Sequence, residues 1–372
     1  MRWRIFYTLE SRARMQIYLL YGGQNAEHDL SIASAFAVIR AIYFKYYSVC
    51  PIYITQSGEW LRGATLHEPL PSAATLQLVA GDIAKFNENS PSVGVAIRPG
   101  ELTVKDSVVF PVMHGQNAED GTIQGLLQSL GVPYVGDGVL ASAVGMDKIV
   151  SKMLFQQAGI PQAPYVPVLK AQWQATADKI LARCEGSLLY PMYVKPANLG
   201  SSLGVSRVND RASLIAAIEK AFEFASRVLV EQGIVAREIE LGLLGDDTLK
   251  FTVPGEVLKK DNFVDYGAKQ SPAALALDIP AQISAEVITR MQQYAQQAYA
   301  IMDGSGLARC DFFLTANGDV LLNEINTMPL FDQYAMYPQL WQKMGLNSGD
   351  LIEELIQLAL KRFKRQRAQQ NF

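Results

Sequence analysis

The stretch Arg309-Cys-Asp-Phe-Phe-Leu-Thr-Ala-Asn-Gly-Asp-Val-Leu-Leu-Asn-Glu-Ile-Asn326 reads as two β-strands joined at Asn317-Gly318, the strongest short-range hairpin signal a sequence can carry. With a two-residue loop, Ala316 faces Asp319, and counting back sets Asp311 opposite Glu324 and Arg309 opposite Asn326. Side chains directly across an antiparallel pair share one face, with Cβ atoms about 4.5–5.5 Å apart. Two carboxylates that close repel unless one is protonated or a cation lies between them. Two carboxylates, an amide and a guanidinium on one face suit a hard cation carrying phosphate, because Mg²⁺ takes few protein ligands and completes its shell with phosphate oxygens. A solvated polar face is the alternative. The same register puts Phe313 and Leu322 on that face, which argues against full exposure.

Around this hairpin the chain is long enough, at 372 residues, for two or three domains. Its net charge of −3 gives no electrostatic footprint for nucleic acid. No apolar run approaches the ~18 residues of a membrane span. Cys50, Cys184 and Cys310 are odd in number and far apart, which fits neither a disulfide framework nor a zinc site and points to a reducing cytoplasm. Residues 1–14 are rich in arginine but lack a continuous apolar stretch. They read as a disordered extension rather than a signal peptide.

The chain opens with a βαβ pattern: a strand at 16–21, Gly22-Gly23, a helix from about Ser31 to Ile42, and a second strand from Val49 to Thr55. Residues 64–106 carry no clear period. A strand from Ser107 to Met113 ends at His114-Gly115, and a helix follows Glu119-Asp120-Gly121-Thr122. In open α/β sheets functional groups gather where strands end and helices begin, which is where Glu27, His114 and Glu119 lie. Ser142 to Ala158 reads as one helix carrying Asp147 and Lys148, and Pro161, Pro164 and Pro167 as a rigid connection. Strands follow at Leu188–Lys195, Val205–Val208, Val228–Glu231, Glu238–Leu244 and Lys250–Val257, with helices at Arg211–Ser226 and Ala285–Met302 and a loop at 259–275.

The loop Gly200-Ser201-Ser202-Leu203-Gly204 lies between two strands and so is not a Walker loop. Small residues there let backbone N–H groups and hydroxyls approach phosphate oxygens, though an ordinary hairpin loop reads the same. Lys195 at a strand end and Lys148 on a helix could reach phosphates as point charges. Glu231, followed by Gln232-Gly233-Ile234, could offer acceptors and donors to an adenine edge with apolar sides for the ring. Glu238 could take a ribose hydroxyl. Glu27, before a helix N-terminus, suits either a cap or an anchor for a substrate ammonium. His28, His67 and His114 show no metal-ligand spacing, and of the three His114 is the best site candidate.

Four segments in order, Gly22-Gly-Gln-Asn-Ala-Glu-His-Asp-Leu-Ser31, His114-Gly-Gln-Asn-Ala-Glu-Asp-Gly-Thr-Ile-Gln124, Lys195-Pro-Ala-Asn-Leu-Gly-Ser-Ser-Leu-Gly-Val205 and the hairpin, make the chain resemble the D-alanine–D-alanine ligases from about Met15 to Leu360. The resemblance implies an α/β (α+β) protein with an ATP-grasp fold and an N-terminal Rossmann-like domain. It divides the chain into a substrate-binding domain at 15–136, a central ATP-grasp subdomain at 137–231 and a C-terminal subdomain at 232–372, with a lid loop at 259–275. The implied reaction consumes ATP. The carboxylate of one D-alanine becomes an acyl phosphate, which the amine of a second D-alanine attacks, giving the dipeptide used in peptidoglycan precursors. By the same likeness Asp311, Glu324 and Asn326 hold Mg²⁺ or Mn²⁺. Arg309 binds the transferring phosphate, Glu27 anchors the first ammonium, Ser201 orients Glu27, and His114 lies near the first substrate. The backbone N–H of Leu330 serves as an oxyanion donor. Lys148, Lys195, Ser201, Ser202, Glu231, Gln232, Ile234, Glu238, Lys269, Asn323 and Glu324 hold the nucleotide. The likeness also suggests a cytoplasmic homodimer with small-molecule substrates.

Three positions depart from the family pattern, all toward the second substrate. Gln270 stands where the ligases carry Tyr and the D-lactate-forming relatives often Phe. Leu330 replaces a Gly, which would strain a bulky residue if φ had to be positive. Ala335 replaces a Ser offered to the second carboxylate. These departures leave a D-alanine–D-X ligase, X being a D-hydroxy acid or another D-amino acid, as the first alternative. A nucleotide-binding protein that no longer ligates is the second.

Overall fold

The computed structural model describes residues 14–81, 93–102, 105–258 and 276–370. The expected lid at 259–275, with Lys269 and Gln270, and nearly all of the N-terminal extension lie outside them. Three sheets carry the fold. The first has strands β1 (Met15–Gly22), β2 (Tyr47–Ile54), β3 (Trp60–Arg62), β4 (Val79–Ala80), β5 (Val93–Ala96) and β6 (Ser107–Pro111), in the spatial order β4-β5-β3-β2-β1-β6. β1 runs parallel to both β2 and β6. β2 is buried at every position, as expected of a strand covered on both faces. The region without a clear period, 64–106, supplies the short strands β4 and β5 at one side of this sheet and 3₁₀ turns.

The second sheet has β7 (Tyr165–Leu169), β8 (Met192–Pro196), β9 (Ser206–Val208) and β10 (Arg227–Gln232), ordered β7-β10-β8-β9. The proline-rich connection read from the sequence is therefore partly strand. Pro167 is accommodated because β7 is an edge strand, where a missing N–H leaves no ladder bond unmade. The third sheet has β11 (Ala236–Gly245), β12 (Leu249–Phe251), β13 (Gly255–Leu258), β14 (Ala276–Asp278), β15 (Gly306–Thr315) and β16 (Val320–Asn326), with β11 between β13 and β15. The strand expected over Lys250–Val257 is two, with Pro254 between them. The single helix expected over 142–158 is also two, Val139–Met146 and Lys148–Gln157. Asp147 breaks it. Its backbone is extended, and its carboxylate accepts from the N–H groups of Ile149 and Val150 at 3.1 and 3.0 Å, capping the second helix.

Helices at Lys170–Ser187, Met336–Lys343 and Ser348–Gln370 add to those expected from the sequence. The last of these contributes Leu351, Ile352, Leu355 and Ile356 to the same core as Ile17, Leu19 and Val49 of the first sheet, and lies against β6 and the helix His28–Ala41. The helices on either side of Asp147 instead share a core with β11 and β15, through Ala141, Val144 and Phe155.

The deciding hairpin forms, with one correction. Leu314 pairs with Val320 and the N–H of Thr315 reaches Asp319, so the loop has three residues, Ala316 to Gly318. Asn317 is not left-handed, as a two-residue type I′ turn would require, and Gly318 alone has positive φ, at 85°. That shifts the register by one near the turn. A bulge then shifts it back: Phe312 faces Leu322 and Asp311 faces Glu324, leaving Asn323 as the extra residue. Arg309 faces Asn326, as expected. The correction moves Leu322 to the buried face with Phe312, and Phe313 pairs with Leu321 instead.

Candidate active site

β1 and β6 are adjacent and parallel, so their carboxyl ends bring Glu27 and His114 together. Asn25 staples the two loops: its amide donates to the carbonyls of His114 and Gln116 at 2.8 and 2.7 Å. Gly115, with φ of 76°, must stay small, because a Cβ there would run into the Glu27 carboxylate. Glu27 occupies the N-cap position of the helix His28–Ala41, yet its side chain makes no cap bond. It instead accepts a hydrogen bond from the Ser201 hydroxyl. Burial raises the Glu27 pKa and the Glu119 charge adds to that, while Ser201, His114 and Lys148 oppose it. His114 lies 3.7 Å from the Glu119 carboxylate through Nδ1, and its Nε2 is 2.9 Å from the Ser34 hydroxyl.

The loop between β8 and β9 reaches this corner. Ser201 and Ser202 both have left-handed backbones, φ 51° and 61°, a conformation L-residues adopt at a cost and retain where surrounding structure fixes it. Lys148 ties the loop down, donating its N–H to the Ala197 carbonyl at 2.8 Å and its ammonium to Leu199 O at 2.7 Å. Lys148, Lys195, Ser201, Ser202, Glu238, Asn323, Glu324 and Asn326 line one pocket. The adjoining cleft holds Glu27, His114, Arg309, Asp311, Leu330 and Ala335, and it shares Ser201, Glu238, Asn323, Glu324 and Asn326 with the first. The bulge makes this possible: two consecutive residues, Asn323 and Glu324, both face the cleft, where regular alternation would hide one.

Glu231 is not on the pocket wall. It is 2% exposed, with Lys152 at 2.6 Å on one oxygen and Lys195 on the other. Burial alone would raise its pKa, but the two ammonium groups outweigh it and hold the carboxylate down to about 2. Lys195 is pulled down by burial and lifted more strongly by Glu231, so it stays charged. Gln232 turns its side chain back, accepting the Leu189 N–H at 3.0 Å, and Ile234 is half-buried beyond the end of β10.

On the hairpin, Arg309 donates through Nε and Nη2 to the two Asp311 oxygens at 2.7 and 2.8 Å, and Asn326 donates to Asp311 Oδ2 at 3.0 Å. Glu240 of β11 stands 2.8 Å from Arg309 Nε. Burial would lower the Arg309 pKa, but Asp311 and then Glu240 raise it, so the guanidinium is permanently charged. Among the described residues no cluster of three or more His, Cys, Asp and Glu side chains fits a metal cage. Asp311, Glu324 and Asn326 instead offer two carboxylates and an amide oxygen, the partial hard-oxygen set that suits Mg²⁺ when phosphate completes the shell. Leu330 does not have positive φ, so the bulky residue carries no left-handed strain there. Ala335 is the N-cap of the helix Met336–Lys343 and makes no side-chain cap bond.

Two charged residues escaped the sequence reading. Glu240 is two residues from Glu238 on one strand face, and Lys152 is one helical turn from Lys148. Both spacings, i to i+2 on a strand and i to i+4 on a helix, are the sequence signals that mark them.

Models of this ligase family match both parts of the chain: the D-ala D-ala ligase N-terminus over residues 16–137 and the C-terminus over 154–357. The chain belongs to the D-alanine–D-alanine ligase family. It is 52% identical over 349 residues to a D-alanine–D-alanine ligase of Enterococcus hirae, covering 94% of this chain and 97% of that one. It is 50% identical to the Enterococcus faecalis ligase, over 94% of this chain and all of the relative. Among solved structures, the Coxiella burnetii D-alanine–D-alanine ligase superposes with TM-score 0.76 at 30% identity, over 95% of this chain and 96% of that one. A VanG D-Ala:D-Ser ligase from Enterococcus faecalis gives TM-score 0.78 at 29% identity, over 93% and 100%. The ATP-grasp architecture expected from the sequence is thus the fold of this family. Family membership also makes the chain an ATP-dependent ligase.

Proposed function

We propose that this protein joins two D-alanine molecules at the expense of ATP, supplying the D-alanyl-D-alanine unit of peptidoglycan precursors. The observation that carries the reading is the convergence on one cleft of Glu27, Ser201, Arg309, Asp311, Glu324 and Asn326, drawn from three separate parts of the chain. Glu27 is a desolvated carboxylate that also feels the charge of Glu119, and a substrate ammonium is the charge such a site is suited to. Glu27, oriented by Ser201, anchors the first D-alanine there. Arg309 faces the same cleft with a fixed planar fork, which fits the charge on a transferring phosphoryl group and on the oxyanion that follows. The Leu330 N–H is the backbone donor assigned to that oxyanion. Lys148, Lys195, Ser202, Glu238 and Asn323 hold the nucleotide, with Glu231 fixing Lys195 from beneath.

Asp311, Glu324 and Asn326 would hold Mg²⁺ or Mn²⁺, which when bound neutralises phosphate charge. The three-part division at 136 and 231, a homodimeric assembly and a cytoplasmic location belong to the same reading. Among the described residues no helix is long and apolar enough to cross a membrane.

A second reading, ligation of D-alanine to a D-hydroxy acid, rests on Ala335 in place of a hydroxyl at the second-substrate end. ADP release and product mass, measured with D-alanine alone and with added D-lactate across pH, separate the two. The dipeptide is expected as the product with D-alanine alone. A depsipeptide share that rises as pH falls would move the assignment to the second reading, since a hydroxy acid has no ammonium to deprotonate. ATP binding without any phosphate release in the presence of D-alanine would overturn both.

A further inference from the structure

On the reading above, Arg309 steadies the phosphoryl group while Asp311 belongs to the ligand set of the divalent cation. In the structure these two side chains hold each other. Both Asp311 oxygens accept from the guanidinium, at 2.7 and 2.8 Å, and Oδ2 also accepts from Asn326. A carboxylate with both oxygens occupied in this way has little left for a cation, so the two roles compete. A second carboxylate stands against the same guanidinium. Glu240 Oε2 lies 2.8 Å from Arg309 Nε, and in the strand ladder Glu240 is the direct partner of Asp311. Glu240 and Arg309 are 14% and 19% exposed, so water competes weakly for their contact. Glu238, on the same face of β11, is paired with Phe313, one step further from Arg309.

We propose that Glu240 is a positioning residue that keeps Arg309 aimed into the cleft when Asp311 turns to the divalent cation. Arg309 then has two anchors on neighbouring strands. Releasing one to the cation leaves the other in place, and the fork does not swing away as the site loads. Glu240 acts only through Arg309 and needs no contact with nucleotide or D-alanine.

The inference rests on the proposed function, and the arms of the test keep the two apart: the unaltered protein reports on the function, the Glu240 variants on the inference. Glu240→Gln keeps the side-chain length and removes the charge. Mg²⁺ is titrated against ADP binding by calorimetry, without turnover, and steady-state kinetics are measured beside it. In Glu240→Gln the guanidinium leans on Asp311 alone, so the Mg²⁺ needed for half-maximal ADP binding rises several-fold and kcat falls about tenfold. KM for D-alanine stays within about threefold. Both effects disappear when Glu240→Gln is made in an Arg309→Ala background. Glu240→Asp, with the charge on a shorter stem, shows the same shifts at smaller size and carries the test if the Gln variant does not fold. Unchanged Mg²⁺ demand with unchanged kcat overturns the proposal. So does an equal loss in the Arg309→Ala background, which would mean that Glu240 acts on something else. If the unaltered protein fails to turn over D-alanine, the function falls while the calorimetric arm still judges Glu240.

Discussion

A carboxylate taken out of water beside another carboxylate needs help to stay ionised, and at Glu27 that help comes from one hydroxyl, one imidazole and one ammonium. Ser201 is the partner in direct contact, and it reaches Glu27 from a left-handed backbone. Removing it has a signed consequence. Burial and Glu119 already raise the Glu27 pKa, and Ser201→Ala removes a group that lowers it, so the pKa climbs further. Binding of a D-alanine ammonium requires ionised Glu27, so activity is lost as pH falls through that pKa. The variant is expected to shift the acid limb of the kcat/KM profile to higher pH. At neutral pH it should also raise KM for the first D-alanine about tenfold, the value of a hydrogen bond to a charged acceptor. A pH profile superimposable on the parent's would refute this account of Glu27. Position 27 was legible as a strand-end residue near a helix, but its partner was not, because a sequence separation of 174 between Glu27 and Ser201 leaves no local trace of the contact.

Among the elements, the hairpin shows how a sequence reading can be right at the site and wrong at the turn. Asn317-Gly318 marks the reversal, yet Gly318 fills the left-handed third position of a three-residue loop. The extra loop residue and the bulge at Asn323 each move the register by one, in opposite senses, so Asp311 still faces Glu324. Alternation could not foretell the bulge, since Leu322-Asn323-Glu324 has no glycine to flag it. Asp147 gives a second case. Periodicity ran straight through it, while its carboxylate caps a new helix whose first residue is Lys148. The helix Met336–Lys343 lacks such a cap, because Ala335 has no oxygen to offer. Ala335→Ser restores an acceptor at an extended N-cap, a change worth about 1 kcal/mol. Thermal melting should show a rise of about 1 °C with turnover of D-alanine undiminished. An unchanged or lower melting temperature would mean that the new hydroxyl is held elsewhere, away from the helix end.

At the scale of the whole molecule, the long helix at the C-terminus belongs to the core of the first sheet although it follows the third in sequence. Amphipathic spacing shows that such a helix has an apolar face but not which sheet covers it. Arg362 fixes the junction. Its buried guanidinium donates to the carbonyls of Tyr134 at 2.8 Å, Gly136 and Ser305. Asp137 is 1% exposed at the same place and accepts the Ser305 N–H at 2.6 Å. Burial pushes its carboxyl up to about 8, against the opposing pull of the Ser305 N–H and the Arg362 charge. In the unfolded chain the same group titrates near 4. Between those values the folded protein holds a proton that the unfolded chain has released, so stability attributable to Asp137 is full below about pH 4 and drains away as pH rises from there toward 8. Asp137→Asn keeps an acceptor for the Ser305 N–H and cannot ionise. The variant and the parent should therefore differ least in melting temperature near about pH 4, and the variant should pull ahead as pH approaches about 8. A gap that is constant across this range, or that widens toward acid, would show that Asp137 is held ionised by Arg362 and that the junction is a buried ion pair instead of a protonated acid.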